Sequence, residues 1–194
     1  MGATVPEIEQ RTFSSSEKED EWLAVRCQLG ERAAFDELIE RYQGPLWRYI
    51  RRVAPDEDAA REVTQDAWLR VLRGIGRLRD PARLRPWLFG IARRALMDRL
   101  RDQYARAVET DCDVSEIPAR VDPALPELQL QQVERELAAL PIVEREVLTL
   151  FYLKELSLAE VAEVLNLPVG TVKSRLFRAR QMLRGELTAK GELR

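Results

Sequence analysis

Histidine is absent from this 194-residue chain, and cysteine occurs only twice. The first absence removes histidine-based triads, histidine-ligated zinc and the commonest general base. The two cysteines, Cys27 and Cys112, lie far apart and read as reduced thiols rather than a disulfide framework. No apolar run reaches the length of a membrane span, and the polar, acidic first twenty residues contain no apolar core of a signal peptide. The expected compartment is therefore the cytoplasm. Strand-like alternation, internal repeats and low-complexity tracts are also missing. Carboxylate or lysine catalysis is not excluded by composition, but no motif supports it, so an enzyme on a helical scaffold is the weakest of the function classes.

What remains is a core-forming composition, 45% hydrophobic and 33% charged, with a net charge of −2. That small sum hides segregation. Residues 67–106 hold 11 arginines against three acidic residues, whereas residues 107–139 hold eight acidic and two basic ones. A local cationic block is what bears on nucleic-acid partners, not the total.

Helical periodicity dominates. Residues 19–29 form a short amphipathic stretch that Gly30 is suited to terminate. Phe35, Leu38, Ile39, Tyr42, Leu46, Tyr49, Ile50 and Val53 recur at steps of three and four, with Gly44-Pro45 predicting a kink or break. A helix over 56–73 opens on acidic residues and closes before Gly74 and Gly76. An arginine-rich loop at 77–85 leads into a helix from about Pro86 to Arg106. Residues 107–126 are acidic and carry three prolines, which reads as an extended linker. Periodicity returns over 127–187. The expected fold is all-α: a mobile N-terminus (1–18), a first helical domain (19–106), the linker (107–126), a second helical domain (127–187) and a tail (188–194).

The second domain carries the sharpest motif. Ser157-Leu158-Ala159-Glu160 has the form of a capping box, and Leu158, Val161, Ala162 and Leu165 make one apolar face. Asn166-Leu167 supplies a turn, and Pro168 suits the first turn of the helix that follows. There Val169, Val172, Leu176, Ala179 and Leu183 form a buried stripe, Thr171, Ser174, Arg175 and Arg178 the opposite one, and Lys173, Phe177, Arg180 and Arg184 lie between. Residues 157–176 thus read as a helix-turn-helix whose second helix suits the major groove. Thr171 and Ser174 sit where base edges are reached. Arg175 suits a guanine edge or a phosphate, and Arg178 and Arg180 suit phosphates.

The stretch LPIVEREVLTLFYLKELSLAEVAEVLNLPVGTVKSRLFRARQMLR (140–184) resembles region four of the extracytoplasmic-function (ECF) sigma factors of bacterial RNA polymerase. AFDELIERY, DEDAAREVTQDAWLRVLR and RPWLFGIARRALMDRLR follow one another over 34–101 as in region two of the same family. The ordered pair is far more specific than a helix-turn-helix alone. The resemblance implies docking of Asp58, Glu62, Gln65, Asp66 and Leu69 on the clamp helices of the polymerase β′ subunit, with a further contact between region four and the β flap. It implies minus-ten recognition and opening through Arg77, Arg79, Arg83, Arg85, Trp87, Arg93, Arg94 and Asp98, and minus-thirty-five recognition through Thr171, Lys173, Ser174, Arg175 and Arg178. Opening a duplex needs cations along the displaced strand and an aromatic or apolar platform. Trp87 and Phe89 are the aromatic candidates, although ordinary burial statistics favour the core for Trp87.

Two positions depart from the family pattern: Gly90 stands where an arginine is usual, and Arg94 where an asparagine is usual. The family's minus-ten preference is therefore not carried over. The acidic linker fits either a path through the polymerase channel or a solvated tether. An anti-sigma partner, no cofactor, no small-molecule substrate and a monomeric free state complete the expectation. The competing reading is a conventional helix-turn-helix regulator acting on duplex DNA without polymerase. It leaves the first domain unexplained.

Overall fold

The computed structural model describes residues 16–109, 137–154 and 156–189. The expected N-terminal segment up to residue 15, most of the linker, the start of the second domain, Cys112 and the last five residues lie outside them. All regular structure among the described residues is helical. The first unit comprises α1 (Ser16–Gln28), α2 (Arg32–Val53), α3 (Glu57–Gly74), two short 3-10 turns (Ile75–Arg77 and Pro81–Arg83) and α4 (Leu84–Glu109). The second comprises α5 (Ile142–Leu148), which runs on through a π turn (Thr149–Leu153), then α6 (Leu158–Leu165) and α7 (Val169–Ala189).

Local chemistry accounts for most boundaries. Gly30 has φ +78°, a left-handed conformation that a side chain disfavours. Its amide bonds the Cys27 carbonyl at 3.0 Å, and the Glu31 amide bonds that of Arg26 at 3.2 Å, so α1 ends in a Schellman motif. Asp56 caps α3 by accepting from the Ala59 amide at 2.7 Å. α4 begins at Leu84, two residues before the expected start. Asp80 caps the preceding 3-10 turn, and the chain passes directly from that turn into the helix.

Of the kink or break expected at Gly44-Pro45, the break is absent. α2 continues without a break through Gly44-Pro45. Proline removes one intrahelical hydrogen bond and disfavours the helix interior. Here the turns on either side are pinned by the fully buried Leu38, Leu46, Tyr49 and Ile50 together with Tyr42, and this packing outweighs the local cost.

The periodic positions behave as read. Val63, Ala67 and Val71 of α3 are buried, as are Val161, Ala162 and Leu165 of α6 and Val172, Leu176 and Ala179 of α7. Val169 is exposed instead, because it opens α7 before the helix turns onto the core. The two units do not stand apart. α4 packs against α6 and α2 against α5, and the buried residues of both join one contiguous core.

Candidate nucleic-acid interface

The helix-turn-helix is built as the sequence requires. The Glu160 amide donates to Ser157 Oγ at 3.2 Å and the Ser157 amide to Glu160 Oε2 at 2.7 Å, completing the capping box at the start of α6. Asn166 ends the helix in the left-handed conformation (φ 52°, ψ 52°), which asparagine tolerates better than most residues. The Pro168 carbonyl accepts from the amides of Thr171 and Val172, so Pro168 sits just before α7 rather than within its first turn. α7 then exposes Lys173, Ser174, Phe177 and Arg178, with Thr171 and Arg175 half-buried. Phe177 is 63% exposed, an aromatic ring next to the exposed Arg178 in the chain. Ser174 Oγ donates to the Thr171 carbonyl at 2.9 Å, and Arg178 lies 3.6 Å from Glu144.

On α3 the acidic face is open to solvent. Asp58, Glu62, Gln65 and Leu69 are exposed and Asp66 is half-buried. Leu69 is 43% exposed, and Leu72, which the sequence reading did not single out, extends the apolar strip one turn further. The carboxylates are braced: Asp66 pairs with Arg70 at 2.8 Å, Glu62 with Arg99 at 3.0 Å and Asp58 with Arg61 at 3.4 Å. Asp98 of α4 takes Arg70 at 2.7 Å and also contacts Arg101, and the Arg70 guanidinium holds its carboxyl below the usual range. The face therefore combines fixed negative charge with exposed leucines, a composition suited to a polar-rimmed protein contact.

The arginine-rich segment is not uniform. Arg77, Arg79 and Arg94 are exposed. Trp87 is half-buried against the core, and its Cζ2 lies 3.2 Å from where a Cβ at Gly74 would stand. Gly74 thus admits the indole, in keeping with the packing alternative for Trp87. Phe89, the other aromatic candidate, is buried and stacks edge-on against Tyr49 with ring centroids 5.7 Å apart. At the two departing positions the structure gives a joint account. The Arg94 guanidinium lies over Gly90, 3.5 Å from the place of a Cβ, an ordinary contact distance, so the two departing positions are neighbours one turn apart on α4.

The other three arginines reach across to the second unit. Arg93 Nε donates to Glu146 Oε1 at 3.0 Å, Arg85 Nη2 to the Lys154 carbonyl at 2.6 Å, and Arg83 lies 2.9 Å from Glu163 Oε2. Glu146 is only 1% exposed and also accepts from the Tyr49 hydroxyl at 2.9 Å. Burial pushes its carboxyl above the ordinary range against the opposing pull of Arg93, Tyr49 and Arg175. Arg145 donates to the carbonyls of Arg52, Ala138 and Leu140. Sequence reasoning missed this set. Its signal was present: Glu144, Arg145 and Glu146 interrupt an otherwise apolar helix, and charges at such positions are buried only when partnered.

Comparison with known proteins agrees with this geometry. The family model for Sigma-70 region 2 matches residues 38–106, and that for Sigma-70 region 4 matches residues 130–183. The chain is 31% identical over 170 residues to the ECF RNA polymerase sigma factor SigW of Bacillus subtilis, covering 81% of this chain and 91% of that one. It is 32% identical over 181 residues to the ECF RNA polymerase sigma-E factor of Escherichia coli, covering 87% and 94%. Among solved structures, CnrH in complex with the cytosolic domain of CnrY is similar, with a TM-score of 0.66 and 29% identity over 88% of this chain and 97% of that one. The two units are thus sigma regions two and four. The chain belongs to the ECF sigma factors of RNA polymerase, which are transcription initiation factors and not enzymes.

Proposed function

We propose that this sigma factor divides its work between three surfaces. The strip of Asp58, Glu62, Gln65, Asp66 and Leu69 on α3, extended by Leu72, docks on the clamp helices of the β′ subunit of core polymerase, and region four contacts the β flap. Arg77, Arg79, Arg83, Arg85, Arg93, Arg94 and Asp98 engage and open the minus-ten element, with Trp87 as a platform only where it leaves its packed position. Thr171, Lys173, Ser174, Arg175 and Arg178 read the minus-thirty-five element. The observation that carries this reading is the pairing of an exposed acid-and-leucine strip in one unit with a capped helix-turn-helix and exposed basic face in the other.

The first domain, expected over 19–106, takes in all of α1 to α4 (16–109), the second runs from 127 through the end of α7 at Ala189, and the tether lies between them at 110–126. No helix among the described residues is long and apolar enough to cross a membrane. The protein works in the cytoplasm as a monomer when free, and an anti-sigma factor controls it. CnrH, bound to the cytosolic domain of another protein, supports such a partner. The deciding experiment is run-off transcription with purified core polymerase on genomic templates. Promoter-specific transcripts that require this protein are expected. Their absence on every template, with duplex footprints from the protein alone, would leave a regulator that works without polymerase.

A further inference from the structure

The last residue of α1 reaches the turn that follows α3, 47 and 50 positions further along the chain. Gln28 Nε2 donates to the Leu78 carbonyl at 2.6 Å and to the Ile75 carbonyl at 3.2 Å. Both neighbours are acceptors, so the amide nitrogen and not the oxygen must face them, with one hydrogen for each. The Ile75 carbonyl also takes the Leu78 amide at 3.1 Å, which closes the short 3-10 turn. Among the described hydrogen bonds, the Leu78 carbonyl accepts from Gln28. Leu78 is buried, where a carbonyl without a donor is costly. Gln28 is itself held in place. Leu23, Ala24 and Cys27 of α1 are buried in the core, and the motif at Gly30 ends the helix just beyond it.

The position of this turn matters because of what it displays. Leu78 is extended (φ −65°, ψ 110°) with its side chain buried, while its neighbours Arg77 and Arg79 are exposed. Successive side chains of an extended chain alternate in direction, so pinning Leu78 inward turns both guanidiniums outward together. Beyond them the chain is fixed again, where the Asp80 carboxylate accepts from the Ala82 amide at 3.2 Å and the Asp80 carbonyl from the Arg83 amide at 3.0 Å.

We propose that Gln28 is a positioning residue for minus-ten recognition: its amide sets the turn at 75–78 so that Arg77 and Arg79 stand as a preset pair for phosphates of the displaced strand. This role rests on the minus-ten reading of those two arginines above. Gln28 touches no nucleic acid. A turn ordered before DNA arrives removes the cost of ordering it from the binding step, and cations along a fixed track are what a single-stranded backbone requires.

The test measures fluorescence anisotropy of a labelled pool of random twelve-nucleotide single strands with the full chain at low salt. Arg77→Ala combined with Arg79→Ala should weaken binding about tenfold. Gln28→Met keeps the length of the side chain and removes its donors, and should weaken binding about threefold. Gln28→Glu is nearly isosteric but sets a carboxylate against two carbonyl oxygens, and should weaken binding about fivefold at pH 8. At pH 5.5 the protonated carboxyl donates to one carbonyl again, and binding should return to within about twofold of wild type at the same pH. Histidine, the side chain that ordinarily changes charge in this range, is absent, so wild type should vary by less than about twofold. Added to the double arginine variant, Gln28→Met should cost nothing further, because it acts through the groups already removed. Core-polymerase affinity should stay within about twofold of wild type, since the α3 strip is untouched.

Unchanged single-strand binding by a folded Gln28 variant would overturn the proposal. A Gln28→Met loss that adds in full to that of the arginines would do the same, as would a Gln28→Glu loss indifferent to pH. An equal loss of core affinity would mark a general defect of the fold and count equally against it. If circular dichroism shows Gln28→Glu to be misfolded, Gln28→Met and its combination with the arginine variant decide the matter. If the arginine pair can be removed without effect, the minus-ten reading of this loop fails first and the positioning role with it. If the arginines matter and Gln28 does not, only the positioning role falls.

Discussion

α7 and the arginine-rich segment of α4 are both cationic and both face nucleic acid in the proposed function, yet they are presented differently. α7 leaves Lys173, Ser174 and Arg178 in solvent. The segment leading into α4 has Arg83, Arg85 and Arg93 engaged by the second unit, Arg83 while still exposed, whereas Arg77, Arg79 and Arg94 are exposed and make no contact with that unit among those described. Duplex recognition needs a rigid helix whose side chains are already aimed. Strand opening needs cations along the displaced strand and a platform for its bases. Net charge does not separate the two; where the partner lies does, since Arg178 meets Glu144 of its own unit whereas Arg83, Arg85 and Arg93 are held across the seam.

The largest expected effect is on the α7 side. Arg175→Ala should reduce discrimination for the minus-thirty-five element by about 1–3 kcal/mol if the side chain reads guanine, roughly 5- to 150-fold in relative affinity. A uniform loss across all sequences, with a shallower salt dependence, would make Arg175 a phosphate contact instead. Competition binding on a panel of point-substituted duplexes distinguishes the two.

Next is the α3 strip. Gln65→Ala combined with Asp66→Ala should weaken core-polymerase binding about tenfold and leave isolated duplex binding unchanged. Both are read by fluorescence anisotropy. Equal loss of both activities would mean that the variant has misfolded.

A smaller effect belongs to the seam. Lys154 is buried near Arg48 and Arg52, and desolvation with their charge lowers its ammonium to about 8. The unfolded chain then holds this proton more tightly than the folded one between pH 8 and about 10, so folding stability rises with pH across that window. Lys154→Met should raise stability by about 1 kcal/mol at pH 7 and flatten that rise. Urea melts at pH 7, 8 and 9.5 measure both, and a variant that keeps the full pH slope would count against the assignment.

The smallest is the cap of α6. Ser157→Ala should cost about 1 kcal/mol of stability through loss of the acceptor for the Glu160 amide. The melt of the second unit should shift and that of the first should not. If both shift together, the units unfold as one body and the comparison between them is one of function alone.

Legibility followed the range of the interactions. The capping box, the α1 terminus at Gly30, the acidic opening of α3 and the helix-turn-helix were readable because each depends on residues within a few positions of one another. At position 45 the sequence left a kink and a break open, and the break is overridden because the proline penalty is local, whereas the burial of Tyr42, Leu46 and Tyr49 is not. Trp87 was left between core and platform because the indole is placed by Gly74 of another helix. Glu146 was passed over because its partners, Tyr49 and Arg93, lie 97 and 53 positions away.

By itself the sequence determined the helices, their caps, the acidic strip of α3 and the order of regions two and four, because periodicity and capping are written in short spacings. The tertiary structure alone decided that the two units meet and that Arg83, Arg85 and Arg93 are held by acceptors from the second. It also decided that the carboxylate between Tyr49 and Arg93 is buried. Those contacts join positions far apart in the chain, and their strength comes from the exclusion of water where two surfaces close, which no local pattern encodes.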